Sequence, residues 1–398
     1  MPTPSLAQNR NYVLLWTGQF ISQMGDRLAL VAFPWIVYQA TGSAASTGAA
    51  FALYTLPYVL FGALAGVAID RLDKRAVMIA ADLARAILVL VVPFAASQSL
   101  AAVYVLGFAT ATAGVFFDPS KLAIVPDLVP AEKLLRANSL LATGENVTEI
   151  LGYSFAGYAL AYVATATAFR IDAVTFAMSG FALILMRYRA PARAAAEIGG
   201  TVWRDLREGL AFLRRNRGLF LNTLLVVTCT AGGAASYPLT FLLAVRVLGG
   251  GTQAFGTFEA AIAVGYLAGS LVLAALATRV RKGLVMTIGL AVMGGSLVAV
   301  ALADGVWQAC LPFAVFGLAN AAALIAIDTY LQEIVPERLR GRVFGARLTL
   351  TQGTYAVSVL IGGALAGVFD VRALLVVSGA LVAVPAIVGL LVREIREI

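Results

Sequence analysis

Long apolar runs recur along this chain with only short charged breaks between them, and that recurrence leaves few folds open. A run of about twenty apolar residues crosses a bilayer as a helix, because lipid offers no partner to backbone amides left outside one. Such runs can be drawn at about 12–40, 44–69, 76–97, 100–125, 136–163, 166–187, 218–247, 254–278, 284–303, 306–332, 346–369 and 371–392, twelve spans in all. The chain has 61% hydrophobic and 13% charged residues and a mean hydropathy of +0.89 over 398 residues, outside the range of soluble domains. The fold class expected is an all-α membrane protein. Pro34, Pro57, Pro93, Pro238, Pro312 and Pro385 fall inside the runs, which membrane helices tolerate when neighbours re-satisfy the backbone.

The charges between the runs set orientation. The net charge of +8 would suggest nucleic acid if it formed one patch, but the basic residues are dispersed among loops, so no nucleic-acid partner is expected. Placing the N-terminus in the cytoplasm puts most Lys and Arg on that side, leaving Arg170, Arg246 and Arg372 near the outer side and Arg27, Arg85 and Lys121 within spans. Both termini are then expected in the cytoplasm. The first run contains Asp26-Arg27 and is followed by no small-residue cleavage site, so a cleaved signal peptide is not expected.

The longest polar stretch, about 188–217, carries Arg189, Arg193, Arg204, Arg207, Arg214, Arg215 and Arg217. Val202, Leu206, Leu210 and Leu213 repeat at helical spacing opposite the charges and predict an amphipathic helix lying on the inner leaflet. The domain organisation expected is a six-helix bundle at 1–187, a cytoplasmic linker with that helix at 188–217, and a second six-helix bundle at 218–398. The two halves repeat each other. Asp118 precedes Ile124-Val125-Pro126-Asp127 as Asp328 precedes Ile334-Val335-Pro336-Glu337, and Gly152 and Gly157 match Gly362 and Gly367 at the same offset. A neighbouring register pairs Tyr58, Arg71, Lys74 and Met78 with Tyr266, Arg279, Lys282 and Met286. Two parallel repeats of six spans are pseudo-symmetric about the membrane normal, and substrate is expected between such halves.

The break from Gly66 to Arg75 is the most distinctive. Asp70 suits the positive end of a helix dipole, and Arg71, Lys74 and Arg75 suit carboxylates at facing helix ends, so the loop reads as a conformational latch. Gly66, Asp70, Arg71, Lys74 and Arg75 also fill a signature, and with them the chain resembles the major facilitator superfamily, whose loop between spans 2 and 3 carries Gly, Asp four residues on and a basic cluster. Asp73 replaces the second Gly of that pattern. Ser22-Gln23-Met24-Gly25-Asp26-Arg27, Asp118-Pro119-Ser120-Lys121 and Pro126-Asp127-Leu128-Val129-Pro130 are similar to the branch of macrolide-efflux and enterobactin-export proteins. Gly25-Asp26 and the Pro119-x-Lys121 spacing also resemble the bacterial lysophospholipid transporter. The antiporter fingerprint is incomplete: span 4 has Ala111-Thr112-Ala113-Gly114 where a basic residue is usual, and Gly152-Tyr153 stands for a Gly-Pro pair.

Charged residues inside spans are the functional candidates, because each costs about 2.5–3.5 kcal/mol on insertion scales. Asp26 is a candidate proton or cation site, and Arg27, about 100° round the helix, a candidate contact for a substrate anion. Glu145 and Glu149 are four residues apart on one helix face beside Asn146, where mutual repulsion would favour a shared proton. Their counterparts in the second half are Tyr355 and Val359, so the acids are not common scaffold. Asp118 with Lys121, and its repeat partner Asp328, read as a gate belonging to the latch. Asp82 and Arg85 read the same way or as snorkelling, and Glu259 and Arg246 as interfacial. Tyr54, Tyr58 and Tyr237 are the aromatic candidates for a substrate cavity, with Arg27 and Asn146 as its polar members.

Histidine is absent, so proton chemistry would run on carboxylates. Cys229 and Cys310 sit in apolar runs, suggesting neither a metal cluster nor a disulfide framework. No nucleotide-binding or hydrolase motif occurs, so neither an enzyme, a cofactor nor a metal is expected. The function expected is proton-coupled export of an amphipathic small molecule such as a drug, macrolide or siderophore. A lysophospholipid flippase is the alternative in transport, and a membrane-embedded sensor the alternative outside it. The resemblance implies a monomer in a bacterial plasma membrane, with protons or another cation as the coupling partner.

Overall fold

The computed structural model describes residues 6–69, 72–188, 202–276 and 281–391, and among them every regular element is helical. Six long helices come first: α1 (Arg10–Thr41), α2 (Ala44–Ile69), α3 (Lys74–Ala96), α4 (Leu100–Leu128), α5 (Leu134–Tyr162) and α6 (Thr165–Leu185). The short α7 (Val202–Arg215) follows, and then α8 (Arg217–Leu242), α9 (Gly251–Leu276), α10 (Lys282–Ala301), α11 (Val306–Ile334), α12 (Glu337–Leu365) and α13 (Val371–Leu391). Ten of these are long and apolar enough to cross a membrane by composition alone. The two long helices that are not, α1 and α5, are the ones carrying Asp26-Arg27 and Glu145, Asn146 and Glu149.

Helix ends follow local chemistry. Asn9 caps α1 by accepting from the Tyr12 amide at 3.1 Å, and its own amide donates to the Leu128 carbonyl at the end of α4 at 2.7 Å. Asp73 caps α3 through the Ala76 amide, and Asn216 caps α8 through the Leu219 amide. Gly42 stops α1 at a φ of 60°, where a side chain would be strained. The largest departure from the expected spans is α12, which begins at Glu337 rather than near 346. Arg340 explains it: its guanidinium donates to the Gln332 and Val335 carbonyls at the end of α11, and Val343 and Ala346 are buried. A basic, half-buried helical segment carries no hydropathy signal.

The described residues fall into two compact units, one within Met1–Gly42 and Leu53–Ile198, the other within Ser43–Ala52 and Gly199–Ile398. In the first, Tyr12, Leu15, Met78, Phe117, Ile124, Val125, Leu141 and Leu183 form a buried core, and the Tyr12 hydroxyl donates to the Ala137 carbonyl at 2.7 Å. In the second, Leu225, Met286, Leu290, Leu297, Ala323, Ile327 and Val382 do so. Small residues bring helices together there: a Cβ on Gly265 would lie 1.9 Å from the Ala314 carbonyl oxygen, and one on Gly317 1.9 Å from that of Ile262. Close backbone approach of this kind replaces the hydrophobic drive that lipid removes.

The amphipathic helix is found as α7, and its apolar stripe packs on protein. Leu213 is buried with Leu219, Leu331, Val335 and Val343, and Leu206 and Leu210 pack on the same cluster. The apolar stripe thus has protein to bury itself against, namely the extended start of α12 and the end of α11. Gly209 allows the approach, since a Cβ there would lie 2.2 Å from the Arg342 carbonyl oxygen. Glu208 pairs with Arg342, an exposed contact of the kind worth little. Glu208→Gln is expected to change unfolding free energy by less than about 1 kcal/mol, checked by thermal unfolding of the purified protein. Arg189 and Arg193 lie outside the described residues.

Candidate functional site

The first unit buries a run of ionic and polar side chains along α1, α3, α4, α5 and α6. Arg85 of α3 is at its centre. Its guanidinium bonds Asp82 at 2.5 Å, lies 3.8 Å from Asp26 of α1, and is sandwiched between the rings of Phe117 and Phe176, 4.5 and 4.2 Å from their centroids. Asp82 is fully buried. Arg85 therefore does not snorkel: the rings and the two carboxylates hold the guanidinium inside the protein, and Asp82 and Arg85 pair as their i,i+3 spacing implies. Asp172 of α6, also fully buried, completes the group.

On the α5 side the candidates form a second network. Lys121 of α4 is 2.7 Å from Glu145 and 4.0 Å from Asp118, so its near partner is Glu145 rather than the Asp118 expected from the i,i+3 spacing. The Tyr58 hydroxyl donates to Asp118 at 3.1 Å. Thr148 donates to Gln23 of α1 at 2.9 Å. Arg27 lies over the Tyr153 ring, 5.2 Å from its centroid, with Glu149 within electrostatic reach. Glu145 and Glu149 share a face of α5; Lys121 is paired with the first at 2.7 Å, and Arg27 is within electrostatic reach of the second. Gly152 admits Arg27, since a Cβ there would lie 2.7 Å from its Cγ. Asn146 sits half-buried beside Glu145, and Tyr54 packs against Phe33 with centroids 6.2 Å apart.

The latch residues divide. Asp70 and Arg71 lie outside the described residues, as do Thr278 and Arg279 of the second half; Gly66 is in the last turn of α2. Lys74 is buried and pairs with Asp127 at the end of α4 at 2.6 Å, also donating to the Ala123 carbonyl. Arg75 caps the end of α6 by donating to the Leu183 and Ile184 carbonyls at 2.8 and 2.6 Å. Both are committed within their own unit. Asp328 of α11 lies 3.7 Å from Arg347 of α12, so the repeated acid keeps a cation but takes it from a different element than Asp118 does.

The second unit has a different interior. A cavity of about 370 Å³ is walled by α8 to α12, with Tyr237, Phe313, Phe316, Leu290, Met293 and Tyr355 among its lining. Tyr237 lines this cavity, its ring 4.9 Å from that of Phe51 and 6.0 Å from that of Phe255. Glu259 of α9 is the one carboxylate among the lining residues and is buried. It is not interfacial, because the turn of α9 that bears it faces inward. Asn320, Thr230, Ser236, Thr240 and the hydroxyl-bearing Tyr237 and Tyr355 add polar groups to the wall.

Sequence reasoning passed over Asp172, Gln19 and Gln23. Asp172 had a signal: it is an acid inside an apolar run, masked by Arg170 two residues away at the run's edge. Gln19 and Gln23 had a weaker one, because an uncharged amide in a span costs less than a charge and needs only a hydrogen-bond partner.

A family model described as "Transmembrane secretion effector" matches residues 4–397. The chain belongs to that family. It is thus a major facilitator superfamily transporter, and the relatives agree. It is 25% identical over 394 residues to macrolide efflux protein A of Streptococcus pyogenes, covering 97% of each chain. To the multidrug efflux pump Tap of Mycolicibacterium fortuitum it is 25% identical over 394 residues, covering 94% of this chain and 93% of that one. Its fold matches that of a bacterial homologue of the iron transporter ferroportin, with a TM-score of 0.78 at 18% identity, covering 97% of this chain and 99% of that one. The nucleoside transporter NupG matches with a TM-score of 0.75 at 15% identity, covering 96% and 98%. At these identities the solved structures show the fold alone, and they bear out the all-α membrane class read from the sequence.

Proposed function

We propose that this family member exports an amphipathic small molecule, of the drug or macrolide kind, by alternating access coupled to proton entry. The observation that carries the reading is the cavity of the second unit: about 370 Å³, mostly apolar and aromatic, with one buried carboxylate. Such a wall suits a molecule with a greasy body and a polar or cationic group. The relatives named as macrolide and multidrug efflux proteins support the direction of transport.

Coupling is assigned to the first unit, with Asp26, Glu145 and Glu149 as ion-binding acids and Lys121 and Arg27 as the cations that leave or rejoin them. A carboxylate that loses its cation partner takes up a proton instead, which is a change of charge that can bias a two-state equilibrium. Lys74 and Arg75 hold the ends of α4 and α6 to the start of α3 within the first unit. We place the protein as a monomer in a bacterial plasma membrane with both termini in the cytoplasm, in keeping with its basic loops.

Proteoliposomes with an imposed pH gradient test this. A radiolabelled macrolide is expected to move with the gradient, and Glu145→Gln or Glu149→Gln to slow that movement about tenfold or more, equivalent to about 1.4 kcal/mol of barrier. Translocation of a labelled lysophospholipid, indifferent to the gradient and unaccompanied by macrolide movement, would overturn the reading in favour of a flippase. Failure of every solute to move in well-folded protein would favour a sensor.

A further inference from the structure

The buried group around Arg85 is short of positive charge. Asp26, Asp82 and Asp172 face one guanidinium, whose contacts go to Asp82 at 2.5 Å and Asp26 at 3.8 Å. Of the other cations near the group, Arg27 lies over the Tyr153 ring within electrostatic reach of Glu149 and Asp26, and Lys121, paired with Glu145, is also within electrostatic reach of Asp26. Asp172 has no cation at ion-pair distance among the described residues. Its hydrogen bonds come from Thr175 one turn along its own helix, at 3.4 Å to Oδ1, and its Oδ2 is buried without a partner. An ionised carboxylate left so is strongly disfavoured, whereas the neutral acid is tolerated.

The position of Asp172 is built rather than incidental. A Cβ on Gly25 would lie 2.7 Å from its Oδ1 and 2.1 Å from the Thr175 hydroxyl, so the glycine before Asp26 is what lets the α6 carboxyl press against α1. Facing Asp172 are Asp26 of α1, Asp82 and Arg85 of α3 and, from α2, Tyr54.

We propose that Asp172 is a proton-binding site of this protein, neutral while Arg85 is engaged with Asp82 and Asp26, and ionised only when the guanidinium is shared with it. Release transfers the carboxyl proton to water and leaves a carboxylate for Arg85 to pair with. The site is distinct from Asp26, Glu145 and Glu149, and its use in transport rests on the proton-coupled reading above. It also gives the Gly25-Asp26 pair a physical meaning: the glycine makes room for one acid and the aspartate sets the charge around it.

Infrared difference spectroscopy of the purified protein at neutral pH tests the site without transport. The carbonyl band of a protonated carboxylic acid is expected in wild type, absent after Asp172→Asn, retained after Glu145→Gln, and shifted rather than lost after Asp172→Glu. The last variant keeps a carboxyl at the site, so the test survives if the asparagine variant does not fold. A protonated-acid band unchanged in Asp172→Asn, or missing from wild type, would overturn the proposal. Gradient-driven macrolide transport is measured in parallel. If wild type ignores the gradient while the Asp172 band is present, the coupled reading fails and the site stands. If wild type follows the gradient and the band is not from Asp172, the site fails and the reading stands.

Discussion

Replacing Arg85 by methionine is expected to destabilise the first unit by about 3–5 kcal/mol, the cost of leaving a buried carboxylate without its cation. Asp82 is fully buried and its Oδ1 bonds Arg85 at 2.5 Å, while its Oδ2 is already without a hydrogen-bond partner. Removing the guanidinium also empties the space between the Phe117 and Phe176 rings. Arg85→Lys keeps a charge but loses the flat group that two rings can sandwich, so it should recover only part of the stability. The informative variant is the double one. Adding Asp82→Asn to Arg85→Met removes the nearer of the two carboxylates left without the guanidinium, and thermal unfolding in detergent should then rise part of the way back toward wild type. Equal melting temperatures for the single and double variants would show that ring packing rather than charge holds this part of the unit.

The second large effect is expected at Gly317. A valine there would have to place its Cβ 1.9 Å from the Ile262 carbonyl oxygen and 2.9 Å from the Tyr266 amide nitrogen, and neither is the movable tip of a side chain. The reciprocal contact, Gly265 against Ala314, means that α9 and α11 are locked from both sides. Overpacking costs about 1–3 kcal/mol where side chains can shift, and more where backbone must. Gly317→Val should therefore lose the monodisperse, ligand-competent protein in size-exclusion profiles. Gly295→Ala in α10, where an added Cβ meets nothing within 4 Å, should be neutral or slightly stabilising. A normal profile for Gly317→Val would mean that α9 and α11 can separate without harm.

The candidate site was only partly legible. Asp26, Arg27, Glu145 and Glu149 could be found because a charge inside an apolar run stands out against its neighbours. Their partners could not. Lys121 was matched to Asp118 by sequence spacing, but the helix crossing brings it to Glu145, twenty-four residues away. Glu259 was read by its distance from a helix end, whereas its direction around α9 is what puts it in the cavity wall. Arg340 and the start of α12 escaped because a helix anchored by protein contacts can be polar where one anchored by lipid cannot.

The sequence by itself determined the class of fold, the membrane environment, the six-plus-six repetition and the helices that would carry charge. Those features follow from the cost of placing polar groups in lipid, which acts on each segment separately and so leaves its mark on local composition. Only the tertiary structure decided which cation meets which acid, that α7 rests on protein, and that Asp172 lies beside Asp26 across Gly25. These depend on the rotation and closeness of packed helices, set by contacts between residues far apart in the chain that no single segment encodes.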